Sequence, residues 1–231
     1  MTRIDAIAFD LDGTLVDSAG GVAHALNAAL VAHGLAPFGL ERVRSWIGDG
    51  PDASIARALA ASGGGADGDL PQRLRAAFDA ATLRDPMAGS RVFDGIAEML
   101  DALPPLPCAV VTNKPTLLAR AVLNAAGLQR HVTHVFGADE ASQRKPAAYL
   151  LLAAADRLGV APGALLMVGD GAPDGGAAQA AGCPMAWAGW GYDAPTTQRA
   201  THTVPRTWHL DTPANLLPIL AAHARGATDE H

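Results

Sequence analysis

Lysine and cysteine are both scarce in this 231-residue chain. There are two lysines, Lys114 and Lys145, against 15 arginines, and two cysteines, Cys108 and Cys183. Two cysteines cannot build a disulfide framework, and neither has a metal-type spacing to a histidine. Cys108 lies among apolar residues and reads as a buried, inert thiol. Basic residues are outnumbered by acidic ones, 17 to 23, for a net charge of −6, and they form no run. A groove for a nucleic-acid backbone is therefore not expected. Long apolar runs are absent as well: stretches such as Tyr149 to Ala155 break well before the roughly 18 residues of a spanning helix. The opening residues also lack a secretory layout. These absences predict a soluble, cytoplasmic protein that contacts neither membrane nor nucleic acid.

What is present suffices for one large domain, or one domain with an insert: 49% of residues are hydrophobic. With arginine supplying positive charge almost by default, the two lysines mark places that need a compact ammonium with three freely oriented donors.

Residues 4 to 9 form a short apolar run ending in Asp10 and opening into L-D-G-T-L, the pattern of a buried strand followed by a Gly-containing turn. From Gly20 to Gly34, Val22, Ala25, Leu26, Ala29 and Leu30 recur at helical spacing, and further amphipathic stretches follow at 39–47, 51–62 and 70–84. No strand pattern falls between 18 and 90. Gly63 to Gly68 reads as a flexible loop, and Gly226 to His231 as a frayed tail. Beyond Pro86 the texture alternates: helix 94–103, strand 107–112, helix 116–126, strand 134–137, helix 147–159, strand 164–169, helix 174–182, strand 184–188 and a last helix at 213–223. Such alternation predicts an α/β fold, a doubly wound parallel sheet of the Rossmann-like kind, interrupted after its first strand by a small α-helical insert. The corresponding domains are 1–16 with 86–231, and 17–85.

In such sheets ligands bind beyond the carboxyl ends of the strands. Those ends carry Asp10 with Asp12, Gly13 and Thr14; Thr112 with Asn113 and Lys114; and Asp170 with Asp174. Lys145 precedes Pro146 just before a helix. Converging carboxylates repel one another unless a divalent cation compensates, and all-oxygen donors suit Mg²⁺. A lysine and a threonine hydroxyl beside such a metal can hold phosphoryl oxygens. A carboxylate can then attack phosphorus, and a second one two residues later can protonate the leaving oxygen and activate water.

The strings Asp10-Leu-Asp12-Gly-Thr14-Leu-Val-Asp-Ser, Thr112-Asn-Lys-Pro, Lys145-Pro and Val-Gly-Asp170 with Asp174, in that order, resemble the four motifs of the haloacid dehalogenase superfamily in its Mg²⁺-dependent phosphatase branch. The match runs from about Arg3 to about Leu220. Within that branch, Val43-Arg-Ser-Trp46-Ile-Gly48-Asp-Gly50, V-V-T-N-K-P-T, and Ala-Ala-Gly-Cys183-Pro with Trp-Gly-Tyr192 downstream resemble the bacterial phosphoglycolate phosphatases. The resemblance implies that 17–85 is a cap. It also implies that Asp10 is nucleophile and metal ligand, and that Asp12 is general acid/base and binds metal through its backbone carbonyl. Thr112, Asn113 and Lys145 would hold the phosphoryl group, and Asp170 and Asp174 would serve the Mg²⁺. The implied substrate is a small phosphate monoester, 2-phosphoglycolate foremost, handled by a monomer or homodimer through an aspartyl-phosphate.

Alternatives on the same scaffold are a sugar-phosphate phosphatase, for instance one acting on N-acetylmuramic acid 6-phosphate, a phosphomutase, or a non-catalytic binding protein. The last is motivated by Gly171 and Pro173, which replace a hydroxyl residue and a backbone donor in the final motif. Lys114 could contact substrate or cap. His24 and His33 read as packed or surface histidines, and Trp46 fits either a cap core or a lid.

Overall fold

A six-stranded sheet in which every neighbouring pair runs parallel carries the strand ends singled out above. The computed structural model describes residues 3–63, 68–192 and 206–224, so the loop tip at 64–67 and the tail from 226 lie outside the described residues. The sheet contains β1 (Ala6–Phe9), β4 (Cys108–Thr112), β5 (His134–Gly137), β6 (Leu165–Gly169), β7 (Met185–Ala188) and β8 (Thr207–Leu210), in the order β5-β4-β1-β6-β7-β8. β1, the first strand made, thus lies between β4 and β6.

Alternation along each strand feeds two separate apolar layers. Ile7 and Phe9 of β1, Val110 of β4 and Leu166 and Val168 of β6 pack on one face. Helices α5 (Ile96–Asp101), α6 (Thr116–Ala125) and α9 (Leu216–Ala224) cover them, through Met99, Val122 and Leu220 among others. Ala6 and Ala8, Val111, and Leu165 and Met167 face the other way, against α7 (Tyr149–Leu158) and α8 (Ala172–Ala181). Period-two side-chain direction on strands buried on both sides accounts for the near-continuous apolar runs read in the sequence. Both cysteines belong to these layers, and burial pushes each thiol up to about 12.

Helices α1 (Ala19–Ala32), α2 (Leu40–Arg44), α3 (Pro51–Ala61) and α4 (Leu70–Arg84) gather around a third apolar cluster that includes Leu26, Leu30, Ile55, Leu59, Leu74 and Phe78. Leu118 of α6 joins this cluster from the sheet side. Trp46 is buried in it and meets Phe38 edge-on at 5.1 Å, so it belongs to the packing of this unit. The chain enters and leaves through a two-stranded antiparallel ribbon, β2 (Val16–Asp17) with β3 (Arg91–Val92). There Gly20 passes so close to Gly89 that a Cβ would stand 2.0 Å from the Gly89 carbonyl oxygen.

Among the described residues none between 18 and 90 forms a strand, in agreement with the sequence pattern. Two features escaped it. The ribbon β2–β3 is two residues per strand, too short for any periodicity to register. β8 is an edge strand of sequence T-W-H-L in which only Leu210 is buried, so its pattern is that of a half-exposed segment. No described helix is long and apolar enough to cross a membrane.

Candidate active site

The three central strands β4, β1 and β6 end side by side, which brings Thr112, Asp10 and Asp170 together although they are far apart in the chain. The Lys145–Pro146 loop reaches the same place from between β5 and α7, and Asp174 projects from the first turn of α8.

Lys145 is the hub. Its Nζ donates to Asp10 Oδ1 at 2.7 Å, to Asp174 Oδ1 at 2.6 Å and to the Val111 carbonyl at 3.0 Å, so all three ammonium donors are matched. Burial by itself would lower the Lys145 ammonium, but the negative charges of Asp10 and Asp174 more than offset this and hold it protonated.

Asp170 meets no such cation among the described residues. Its Oδ1 accepts from the Thr14 hydroxyl at 3.0 Å and its Oδ2 from the Tyr192 backbone N–H at 2.8 Å. Two glycines make room for it: a Cβ on Gly13 or Gly191 would lie 2.5 or 2.2 Å from Asp170 atoms, so any larger residue would displace the carboxylate. Burial, then the charges of Asp174 and Asp10, pushes the Asp170 carboxyl up to about 8. Asp10 is pushed up to about 7, chiefly by burial, with Lys145 pulling against it and Asp174 adding to it.

One carboxylate oxygen each from Asp10, Asp170 and Asp174 lie within 4.8 Å of one another, all three residues being buried. Buried carboxylates packed this closely with oxygen-only donors are the arrangement that a hard divalent cation relieves, so the donor set fits Mg²⁺. Gly171 and Pro173 do not prevent it. α8 begins at Ala172, two residues earlier than the sequence pattern predicts, with Pro173 in its first turn where its missing N–H costs nothing. The Gly171 N–H donates to Asp174 Oδ2 at 3.0 Å and aims that side chain.

Asp12 stands apart from this trio. Its carboxylate receives the Lys114 ammonium at 2.9 Å on both oxygens, an ion pair in which the lysine is buried. Lys114, unassigned by the sequence, therefore faces Asp12.

The Asn113 side chain joins two loops. Its amide Nδ2 donates to the Gly48 carbonyl at 2.8 Å and the Lys145 carbonyl at 3.0 Å, while its Oδ1 accepts from the Lys145 N–H at 2.7 Å. Both amide hydrogens are thus used within the protein, and the group Asn113 can still turn to a ligand is its backbone N–H. Thr112 lies at the end of β4 with its hydroxyl accepting from the Lys114 N–H at 3.2 Å.

The helical unit covers the site. A narrow cleft runs from Asp10, Asp12 and Thr112 to Val22, Ile47 and Phe78. A wider opening beside it is lined by Lys145, Asp170, Asp174 and Tyr192, with Ser45 and Arg57 opposite. Arg144, next to Lys145, forms an ion pair with Asp52 at the start of α3, and Asp52 also pairs with Arg75 of α4. Burial pushes the Asp52 carboxyl up, but the two guanidinium groups overcome this and hold it below the usual range. Arg44 lies over the Tyr192 ring at 5.0 Å, and the Tyr192 hydroxyl donates to Asp17 and accepts from the Ala19 N–H. Thr14 and Tyr192 entered the sequence reading only within longer strings, since nothing local shows that residues so far apart share one carboxylate.

Residues 4–182 match the family model of haloacid dehalogenase-like hydrolases. Phosphoglycolate phosphatase of Photorhabdus laumondii is 39% identical over 192 residues, covering 82% of each chain. Phosphoglycolate phosphatase of Escherichia coli K12 is 39% identical over 209 residues, covering 82% of this chain and 83% of the relative. A crystal structure described as a predicted phosphoglycolate phosphatase from Haemophilus somnus superposes with a TM-score of 0.85 at 30% identity, covering 95% of this chain and 99% of that one.

Proposed function

The chain belongs to the haloacid dehalogenase-like hydrolases and is a phosphatase of that family, and from that premise we propose that it hydrolyses a small phosphate monoester, 2-phosphoglycolate, with Mg²⁺ through an aspartyl-phosphate. The observation that carries this reading is the contact of the Asp10 carboxylate with the Lys145 ammonium inside a buried acidic trio.

In this proposal the free oxygen of Asp10 attacks phosphorus in line with the ester oxygen. Lys145, the Thr112 hydroxyl and the backbone N–H of Asn113 hold the other phosphoryl oxygens, replacing contacts that the acids and loops make in the free protein. Asp12 gives its proton to the departing ester oxygen, then takes one from the water that cleaves the aspartyl-phosphate. Mg²⁺ held by Asp10, Asp170, Asp174 and the backbone carbonyl of Asp12 supplies positive charge against the repulsion between carboxylates and phosphoryl oxygens. Asp10 must act as an anion, and the charge of Lys145 opposes the burial that favours its neutral form. Residues 17–85 act as the cap that excludes water from the acyl phosphate, hinged where β2 and β3 pair. A cytoplasmic location belongs to the same proposal.

The test is phosphate release from 2-phosphoglycolate with and without Mg²⁺, in the wild type and in Asp10→Asn. Metal-dependent turnover that drops about 10³-fold or more in the variant supports the proposal. Unchanged turnover by Asp10→Asn overturns the mechanism, and an N-acetylmuramate or hexose phosphate hydrolysed far faster overturns the substrate.

A further inference from the structure

We propose that Lys114 determines substrate specificity, by receiving an anionic group on the carbon next to the phosphoester carbon. The inference rests on the phosphatase reading and deepens it.

The cleft between the sheet and the helical unit is lined by one cation, Lys114, among the described residues. Its other walls are the acids Asp10 and Asp12, the apolar side chains Val22, Ile47 and Phe78, and the first turn of α3. A substrate whose phosphoryl group meets Asp10 must extend its remaining atoms past Asp12, since Asp12 is the residue that faces the ester oxygen. Lys114 Nζ lies 2.9 Å from both Asp12 oxygens. A group that hydrogen-bonds Asp12 and carries a carboxylate one methylene away from its ester oxygen therefore presents that carboxylate to Lys114.

Charge makes the contact selective. In a cleft with two carboxylates in its wall a further anion is repelled unless a cation meets it, and burial strengthens both effects. Lys145 does not line this cleft and, in the phosphatase reading, its ammonium is taken by the phosphoryl group beside Asp10. Lys114 spends two donors on Asp12, and an ammonium has three. Its side chain is 6% exposed, so an anion reaching it pairs with it largely out of water. A neutral hydroxyl in the same place gains much less, so the site favours 2-phospho acids over esters of neutral alcohols.

The experiment compares kcat/KM for 2-phosphoglycolate and for its uncharged counterpart 2-hydroxyethyl phosphate, both with Mg²⁺, in wild type, Lys114→Met, Lys114→Gln and Lys114→Arg. The wild type should favour the acid, and Met and Gln should lower kcat/KM for the acid by about 10²-fold while changing the neutral ester several-fold less. Lys114→Arg should keep part of the preference. Because either neutral residue strips Asp12 of its cation, folding is followed by circular dichroism. If one variant unfolds the other carries the comparison, and if both do, the Arg variant against wild type carries it, with a retained acid preference expected. Equal losses on both esters, or loss of the preference in the Arg variant, would mean that Lys114 acts only through Asp12 and overturn the inference. A wild type that cleaves both esters equally overturns it too while leaving the phosphatase intact. A wild type that cleaves neither ester but releases phosphate from another monoester overturns the 2-phosphoglycolate reading, and this inference with it.

Discussion

The side-chain amide of Asn113 donates to the carbonyl of Gly48 at 2.8 Å, tying the end of strand β4 to the helical unit above it. The same amide holds both backbone polar groups of Lys145. One residue thus links the position of the covering unit to the position of the ammonium. Replacing Asn113 with Ala removes three hydrogen bonds and leaves the Lys145 N–H buried without its acceptor, so stability should fall by about 1–3 kcal/mol. Turnover should fall with it. Urea unfolding and steady-state kinetics measure the two; a variant as stable and as active as wild type would show that the clamp does not matter.

Lys145→Arg tests why lysine was kept. The ammonium points three donors in three directions, at Asp10, Asp174 and the Val111 carbonyl. A planar guanidinium is larger and cannot reproduce that trigonal set in a buried space. Activity should drop by about 10²-fold or more, with Tm also lowered. Near-normal kcat/KM in this variant would remove the case for Lys145 as the ammonium beside the nucleophile.

The metal-free protein should lose stability as pH rises. Asp10 and Asp170 have carboxyls pushed from the ordinary 3.8 to about 7 and about 8, so between pH 4 and 8 the folded state holds protons that the unfolded chain has released. The unfolded state therefore binds fewer protons, and the stability slope with pH is negative across that window. A divalent cation replaces those protons. The rise in Tm on adding Mg²⁺ should be larger at pH 8 than at pH 5.5, and calorimetry in buffers of different ionisation enthalpy should detect proton release on binding. An equal Tm gain at both pH values would contradict this account.

Asp170→Asn separates stability from metal binding. Asp170 is buried beside two other acids and, among the described residues, has a hydroxyl and one N–H for partners. An amide accepts the same Tyr192 N–H without the charge. The metal-free Tm at pH 8 should rise by about 2–6 °C while the response to Mg²⁺ disappears. A lower Tm would mean that the two hydrogen bonds already compensate for the buried charge.

The layered α/β core was legible because strands buried on both faces become unbroken apolar runs, as in Ala6–Phe9 and Leu165–Gly169, and helices announce themselves by spacing. Asp10, Asp12, Thr112, Asp170 and Asp174 stood out because each sits at or just beyond such a run, and Lys145 because lysine is so scarce and Pro146 follows it. Their pairings were not legible. That Asp12 turns to Lys114 while Asp10 turns to Lys145 depends on the side-chain directions of neighbouring strand ends, and no sequence spacing encodes it. The use of Asn113 as a clamp depends on Gly48, 65 positions away. Pro173 looked disruptive because the helix was expected to begin at 174; a start at Ala172 puts the proline in a first turn that tolerates it.

The central place of β1 also bears on how the chain can be made. This strand leaves the ribosome before both of its partners, β4 and β6, which are encoded about a hundred or more residues later. Thr14 and Asp170, 156 positions apart, must meet before the acidic trio has its support. The four helices between β2 and β3 need only near neighbours for most of their apolar contacts, so they can pack while translation continues. The Ala-Ile-Ala-Phe strand has neither edge paired until Cys108–Thr112 has been made, and its second edge stays open until Leu165–Gly169 follows.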